Sequence, residues 1–422
     1  CAHLATSGPA VRSPPRGGDR AFYGRGGWAN ADGEGGRRAV MPIPPVPLTP
    51  GAKAMRGERD AWLAQLDFDR APFTIAWEVT RACAYACFHC RADAQHRRDP
   101  RELTLDEGTA LIDDLAGFGT RPILVLTGGD PLMRPDLFDL AAHADAAGLR
   151  VSLTPTATAL VTRERMATAR ASGIRRVAFS LDAPTADVHD RFRGFSGSFA
   201  RTMTGMRAAA AEGLALQVNT TVYADNAASL PDMVPLLQEW GVVQWSVFFL
   251  VPTGRGTQLP MLDAAGHERV LRWLHDLTGI TGFDIKATAA PHYRRIALQQ
   301  AAQAAAGDRL DGLMGAGFQY ADGLDRPMKG VNDGRGFMFI SHTGDVTPSG
   351  FLPLVAGNVR ERSAVEIYRD APLFRQLRDP ALLTGKCGRC GFKEVCGGSR
   401  ARAFGVHGDY LAEDPSCAYV PA

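Results

Sequence analysis

The chain has 422 residues, of which 45% are hydrophobic, and its formal net charge at pH 7 is +2. This size predicts one or two globular domains with a substantial core. The nearly balanced charge does not indicate binding to nucleic acid or to an acidic membrane surface. No run of about 18 apolar residues predicts a membrane-spanning helix, and no secretory signal is visible. The eight cysteines are too sparse for a disulfide scaffold, which favours metal binding in a reducing cytoplasm.

Residues 1–70 are predicted to be a disordered extension and a lead-in to the first domain. The first 40 residues are rich in Gly, Arg, Pro and Ala and show no hydrophobic periodicity. Met41 and Met55 are candidate start residues within this extension.

Six apolar segments beyond residue 70 predict β-strands, and amphipathic helical segments lie between them. The strands are predicted at Phe73–Val79, Ile123–Thr127, Arg150–Thr154, Arg175–Leu181, Leu216–Val222 and Gln244–Val251. Strands that alternate with helices favour an α/β fold with a parallel sheet and right-handed crossovers. Six such units predict a partial (β/α)6 barrel that is open on one side.

Three cysteines follow the first predicted strand, in the segment CAYACFHC. Cys83, Cys87 and Cys90 have the spacing C-x3-C-x2-C, and closely spaced thiolates suit a soft metal or an iron–sulfur cluster. Three ligands on a four-iron cluster leave one iron open for chemistry. Zinc sites and thiol switches use similar spacings, so the triplet alone leaves those alternatives open.

A glycine pair follows the second predicted strand. Gly128, Gly129 and Asp130 precede a proline in the segment TGGDP, and glycines allow backbone to approach a ligand closely. A plain turn is the alternative when the motif is taken alone. One βα unit after a three-cysteine loop, the glycine pair becomes a strong indication of a cofactor site.

Together, CAYACFHC and TGGDP resemble the radical S-adenosylmethionine (SAM) superfamily. The resemblance implies that the cysteines hold a [4Fe–4S] cluster, whose fourth iron is chelated by the methionyl group of SAM. It also implies that Gly128, Gly129 and Asp130 contact the SAM amine, with Asp130 standing where the family has glutamate. His89 occupies the position before the last cysteine, where the family often has an aromatic residue.

The resemblance extends to polar residues near later strand ends, which are expected to contact SAM. The matching positions are Ser152, Thr154, Ser180, Asp182, Arg193 and Asn219. The guanidinium of Arg193 suits a carboxylate because it can donate two parallel hydrogen bonds. The alternative for the small residues is helix capping, which is their more common role near strand ends.

A second group of cysteines lies near the C-terminus. Cys387, Cys390, Cys396 and Cys417 form C-x2-C-x5-C followed by a fourth cysteine. Four thiolates saturate a metal site, so a closed zinc site is one alternative. The group resembles the SPASM/twitch extension of the same superfamily, which implies a second, auxiliary [4Fe–4S] cluster. Ser349 stands where the fuller SPASM pattern has cysteine, which favours one auxiliary cluster over two.

These features predict a division into four segments. Residues 1–70 are the extension, 71–290 the radical SAM partial barrel, 291–335 a linker with a substrate-side helix and loop, and 336–422 the small cysteine-rich auxiliary domain. Residues His292–Arg295 are candidate substrate contacts, with a solvated helix start as the alternative.

The resemblance implies an enzyme that reductively cleaves SAM and abstracts a hydrogen atom through a 5′-deoxyadenosyl radical. The substrate is expected to be a tetrapyrrole side chain, as in iron-coproporphyrin decarboxylation, or a ribosomal peptide. Flavodoxin or ferredoxin would donate the electron. A small-molecule radical dehydrogenase and a non-catalytic iron–sulfur sensor remain alternatives at this point.

Overall fold

The computed structural model describes residues 67–278, 280–305 and 330–421. The extension predicted over residues 1–70 lies almost wholly outside the described residues. Within them, one ten-stranded sheet runs through the molecule in the order β10-β9-β8-β1-β2-β3-β4-β5-β6-β7. Strands β1 to β7 are parallel neighbours in sequence order, which confirms the predicted α/β fold with a parallel sheet.

The six predicted strands all form, each within two residues of its predicted ends. The strands are β1 Thr74–Thr80, β2 Ile123–Gly128, β3 Arg150–Leu153, β4 Arg176–Ser180, β5 Ala215–Val222, β6 Gln244–Phe249, β7 Asp284–Thr288, β8 Phe337–Ile340, β9 Asp345–Thr347 and β10 Gly357–Asn358. β1 lies between β2 and β8, and it is buried along nearly its whole length. Burial on both faces explains why its sequence is a nearly continuous apolar run.

Helices cover the sheet in alternation with the strands. They are α1 Leu105–Ala116, α2 Leu137–Ala146, α3 Arg163–Ala171, α4 Ala186–Arg193, α5 Ser198–Ala211, α6 Leu230–Glu239, α7 Ala264–Asp276, α8 Tyr293–Ala305, α9 Ala364–Asp370, α10 Pro372–Arg378, α11 Gly385–Arg389 and α12 Arg400–His407. α1 begins with a capping box, in which Thr104 and Glu107 exchange side-chain-to-backbone hydrogen bonds.

The sheet extends beyond the six predicted strands at both edges. β7 adds a seventh parallel strand next to β6. At the other edge, β8 and β9 form an antiparallel hairpin, and β8 pairs with β1 in parallel. The C-terminal region therefore continues the sheet of the barrel. No helix among the described residues is both long and apolar enough to cross a membrane.

Candidate active site

A cavity of about 210 Å³ opens at the carboxyl ends of the parallel strands. Its wall includes Thr127 of β2, Thr154 after β3, Ser180 of β4, Thr221 of β5 and Phe249 of β6. Carboxyl ends of parallel strands meet at one edge of a sheet, and this is where α/β barrels place their active sites. The order of the strands thus brings side chains that are far apart in sequence to one site.

The three cysteines of the first group line this cavity together. Cys83 and Cys87 are buried on the loop after β1, and Cys90 is partly exposed. Cys83 accepts a hydrogen bond from the backbone N–H of Tyr85 at 3.4 Å, and Nη1 of Arg193 lies 3.9 Å from Sγ of Cys87. Burial raises the pKa of both thiols, an effect that coordination to a metal would reverse.

The donor set suits an iron–sulfur cluster. All seven cysteines among the described residues are free thiols. Among the residues that the structure describes, there is no group of three or more His, Cys, Asp or Glu side chains that could hold a single metal ion. The first three thiols instead lie around one shared cavity, beside N–H groups that can donate to sulfur. Such donors and thiolate ligands are what iron–sulfur clusters use in proteins.

The two glycines are required by the packing of backbone against backbone. The N–H of Gly129 donates to the carbonyl of Thr80 at 2.9 Å, and the N–H of Asp130 donates to that of Ala82 at 2.6 Å. A Cβ on Gly128 or Gly129 would overlap those carbonyl oxygens. The glycine motif therefore anchors the start of the cysteine loop, and both glycines also line the cavity.

The carboxylate of Asp130 faces protein groups rather than the cavity. It is fully buried, and it accepts hydrogen bonds from the hydroxyl of Thr158 at 2.8 Å and the N–H of Leu132 at 3.2 Å. Burial raises the pKa of Asp130 to about 6 against the opposing effect of those bonds. Its predicted contact with the SAM amine stays a prediction, since the carboxylate already serves as a cap for the following turn.

Arg193 lies at the cavity wall, held by Asp182. Its Nε donates to Oδ2 of Asp182 at 2.7 Å, and Oδ1 of Asp182 accepts from the N–H of Thr221 at 2.8 Å. Arg193 is largely buried and lines the cavity, whereas Asp182 lies behind it. The pair could present a fixed cation to the carboxylate of a bound SAM.

The other predicted SAM contacts divide into two sets. Thr154 and Ser180 line the cavity, while Ser152 and Asn219 do not. Asn219 accepts a hydrogen bond from the side chain of Gln217 at 2.8 Å. The cavity is also lined by residues that were not predicted, among them Tyr85, Thr127, Thr156 and Thr221. The three threonines lie at or just after the ends of predicted strands, and this position could have indicated that they line the cavity.

The second group of cysteines surrounds a separate small cavity that all four thiols line. Each sulfur accepts a backbone N–H. The donors are Asp414 for Cys387, Phe392 for Cys390, Gly398 for Cys396 and Tyr419 for Cys417. Burial raises the pKa of Cys396 to about 12. The four thiols would therefore lose their protons only when a metal cation is bound among them. This arrangement fits a closed, four-thiolate site.

Of the residues His292–Arg295, Arg294 and Arg295 lie near the second cysteine group. His292, Tyr293 and Arg295 are buried, and Arg295 lines the small cavity together with the cysteines. The alternative interpretation of these residues, a solvent-exposed start of a helix, is therefore wrong. None of the four lines the larger cavity.

Comparison with known proteins agrees with this geometry. The family model described as Radical SAM superfamily matches residues 77–234. "AdoMet-dependent heme synthase" of Nitratidesulfovibrio vulgaris is 44% identical over 349 residues, which cover 82% of this chain and 92% of the relative. The protein of the same name from Methanosarcina barkeri is 43% identical over 351 residues, which cover 83% and 97%.

A solved structure shares the fold. The crystal structure of Streptococcus suis SuiB bound to S-adenosylmethionine matches with a TM-score of 0.62 at 14% identity, covering 88% of this chain and 84% of SuiB. The chain belongs to the radical SAM superfamily and is a radical SAM enzyme. This confirms the resemblance found in the cysteine and glycine motifs, and the sensor alternative falls away.

Proposed function

We propose that the chain is a heme-forming radical SAM enzyme that oxidatively decarboxylates propionate side chains of an iron-coproporphyrin-like tetrapyrrole. The observation that carries this proposal is the likeness to two proteins named AdoMet-dependent heme synthase, at 44% and 43% identity over almost their whole lengths. The likeness to SuiB, at 14% identity, supports the fold alone and does not favour a peptide substrate.

The residues for the first step are those of the larger cavity. Cys83, Cys87 and Cys90 would hold a [4Fe–4S] cluster, and Arg193 would bind the carboxylate of SAM. When bound, the cluster and SAM together supply the 5′-deoxyadenosyl radical that takes a hydrogen atom from the substrate. The buried walls of the cavity would exclude water from this reactive species.

Three further residues of the cavity wall, Arg91, Phe248 and Phe351, support a flat, carboxylate-bearing substrate. Phe248 and Phe351 contribute rings with centroids 6.3 Å apart, and both line the cavity. Arg91, next to Cys90, also lines it, with its guanidinium 4.4 Å from the ring centroid of Phe339. Aromatic rings can stack on a macrocycle, and an arginine can pair with a propionate.

We also propose that Cys387, Cys390, Cys396 and Cys417 hold a second [4Fe–4S] cluster. Four buried or partly buried thiols with four N–H donors support a closed site. Iron and sulfide contents of about eight per chain would agree with two four-iron clusters. About four irons with one zinc would restore the zinc alternative.

The outer face of the cysteine loop suits a small acidic electron carrier such as flavodoxin or ferredoxin. Side chains alternate along this loop, so that Cys83, Tyr85 and Cys87 are buried, whereas Ala84, Ala86 and Phe88 are exposed. Phe88 is 54% exposed. The nearby Arg191 and Arg201 are exposed cations that would attract an acidic partner. A carrier docked here would be separated from the three thiols by one layer of backbone.

The docking proposal is tested with Phe88→Ala and Arg191→Glu. We expect slower reduction by an acidic flavodoxin or ferredoxin and unchanged reduction by dithionite. Equal rates with the protein donor in variant and parent would refute this surface as the docking site.

The proposed reaction is tested with anaerobically reconstituted protein, dithionite, SAM and iron-coproporphyrin deuterated on its propionates. We expect 5′-deoxyadenosine that carries deuterium, together with a vinyl-bearing product and carbon dioxide, while the one electron released from each propionate radical passes to an added electron acceptor. The triple change of Cys83, Cys87 and Cys90 to Ala should abolish the formation of all three products. Formation of 5′-deoxyadenosine without deuterium transfer would leave the radical chemistry intact and refute this substrate.

A further inference from the structure

Arg400 is a buried arginine that touches a cysteine of the second group. It is 1% exposed, and its Nη2 lies 3.8 Å from Sγ of Cys387. Its other hydrogen bonds go to the backbone carbonyls of Gly398, Tyr410 and Ala412. All of these carbonyl partners are neutral.

Arg294 approaches the same group from another side. Its Nη1 donates to the carbonyl of Val395 at 3.2 Å, and its Nη2 donates to that of Val331 at 2.7 Å. Val395 precedes Cys396 in sequence. Burial lowers the pKa of Arg294 to about 10, and the nearby Cys396 opposes this change. The guanidinium thus lies in a poorly solvated place beside a cysteine.

Within the described part of the chain, neighbouring arginines lie beside carboxylates, whereas Arg294 and Arg400 do not. Arg295 pairs with Glu268, and Arg402 pairs with Asp414 at 3.2 Å. Arg335 donates to the carbonyl of Glu394 at 2.8 Å and lies 3.9 Å from its carboxylate. Among the residues that the structure describes, no carboxylate lies within 4.0 Å of the nitrogens of Arg294 or Arg400. A buried cation without a counter-ion is costly.

We infer that the counter-ion of both arginines is the metal centre held by the four cysteines, and that Arg294 and Arg400 set its reduction potential. A four-thiolate iron–sulfur cluster carries net negative charge, and reduction adds one more. Fixed cations nearby therefore favour the reduced form, since net charge and hydrogen bonds to sulfur govern cluster potentials. This inference rests on the proposed second cluster. Neither arginine lines the larger cavity, so both are positioning residues that act through the cluster.

The test is a redox titration of the reconstituted full-length enzyme, followed by electron paramagnetic resonance with and without SAM. SAM alters the spectrum of the cluster with the open iron, which separates the two signals. We expect Arg294→Met to lower the equilibrium constant for reduction of the four-thiolate cluster about tenfold, which is about 59 mV for one electron. Arg294→Lys should leave the potential close to that of the parent, because it keeps the charge.

Arg335→Met is the matched control. Arg335 also binds a carbonyl of the loop before Cys396, but its charge is already offset by Glu394, so its loss should not shift the potential. Arg400→Lys keeps the charge at the second position, and Arg400→Met removes it and should shift the potential in the same direction as Arg294→Met. If Arg400→Met does not fold, Arg294→Met decides the test.

The inference is overturned if Arg294→Met and the parent titrate at the same potential, or if Arg335→Met shifts the potential equally. These results differ from a failure of the proposed second cluster, which would show as about four irons per chain and one cluster signal in the parent. Iron content measured for every variant separates loss of the cluster from a change in its potential.

Discussion

Arg193 connects Asp182 to Cys87: its Nε lies 2.7 Å from Oδ2 of Asp182, and its Nη1 lies 3.9 Å from Sγ of Cys87. Burial alone would raise the pKa of Asp182, but Arg193 and neighbouring groups hold it below its usual value. Asp182 is therefore ionised and fixes the guanidinium. A cation fixed in this way is prepared for a ligand carboxylate without further ordering.

Changing Arg193 to Met should reduce both stability and SAM binding. Removing one partner of a buried ion pair leaves the other charge unpaired, which costs about 3–5 kcal/mol in the free energy of unfolding. Loss of a charge-assisted hydrogen bond should weaken SAM binding at least about tenfold. Urea unfolding and equilibrium dialysis with labelled SAM measure the two effects.

Arg191→Met on the same helix is the control, because the side chain of Arg191 is 73% exposed. Its effect on the free energy of unfolding should stay within about 0.5 kcal/mol. Comparable SAM binding by the two variants would contradict the role of Arg193.

Changing Gly129 to Ala should displace the cysteine loop. The added Cβ would overlap the carbonyl oxygen of Ala82 and lie 2.7 Å from that of Arg81, and backbone cannot move aside as a side chain can. We expect a loss of about 1–3 kcal/mol in the free energy of unfolding and a reduced iron content. Gly282→Ala is the matched control, since a Cβ there meets nothing within 4 Å. Equal iron contents in both variants would contradict this packing role.

The six predicted strands could be found because each carries a run or an alternation of buried apolar residues. β7 was missed because three of its five residues are partly exposed, so its sequence lacks a clear apolar pattern. α4 has a similarly weak signal in its sequence, since it is short and mostly polar. The parallel pairing of β8 with β1 joins residues more than 250 apart in sequence, and no local pattern encodes such a contact.

The candidate site was predictable where chemistry demands a rare residue type. The cysteine spacings identified both thiol groups, whereas the packing of the glycine pair against the cysteine loop was not predicted. Asp130 shows the limit, because a carboxylate that caps a turn and one that binds a ligand look alike in sequence. The cavity threonines carry little signal, since threonine is common in any strand.

Changing Asp130 to Asn should alter how stability depends on pH. The pKa of Asp130 in the folded protein is about 6, above the value of about 3.9 expected in the unfolded chain. Between these values the folded state binds more protons, so stability decreases as pH rises through this window, by about 3 kcal/mol in total. Asn does not titrate, so this decrease should disappear.

Urea unfolding of parent and variant from pH 5 to 7.5 measures the difference. The stability of Asp130→Asn relative to the parent should increase as pH rises toward 7 and then level off. A constant difference across this range would show that the Asp130 carboxylate does not titrate there.

Glu78 holds both ends of the cysteine loop, and Glu78→Gln should release them. The buried carboxylate accepts from Nε of Arg81 at 3.3 Å, lies 3.1 Å from Nη1 of Arg91, and lies 3.1 Å from Nδ1 of His342. Arg81 precedes Cys83 by two residues, and Arg91 follows Cys90. We expect a loss of about 3–5 kcal/mol in the free energy of unfolding and a lower iron content.

The pH dependence of this loss is opposite to that of Asp130. Burial raises the pKa of Glu78, but Arg91, His342 and Arg81 outweigh it and lower the pKa below its model-peptide value. The stabilising effect is therefore present above about pH 4.3, the unfolded value, and is lost as pH falls through the folded pKa. Glu107→Gln serves as control, because the Glu107–Arg360 ion pair is partly exposed and should contribute less than about 1 kcal/mol. Similar losses of iron in both variants would show that Glu78 does not position the cysteine loop.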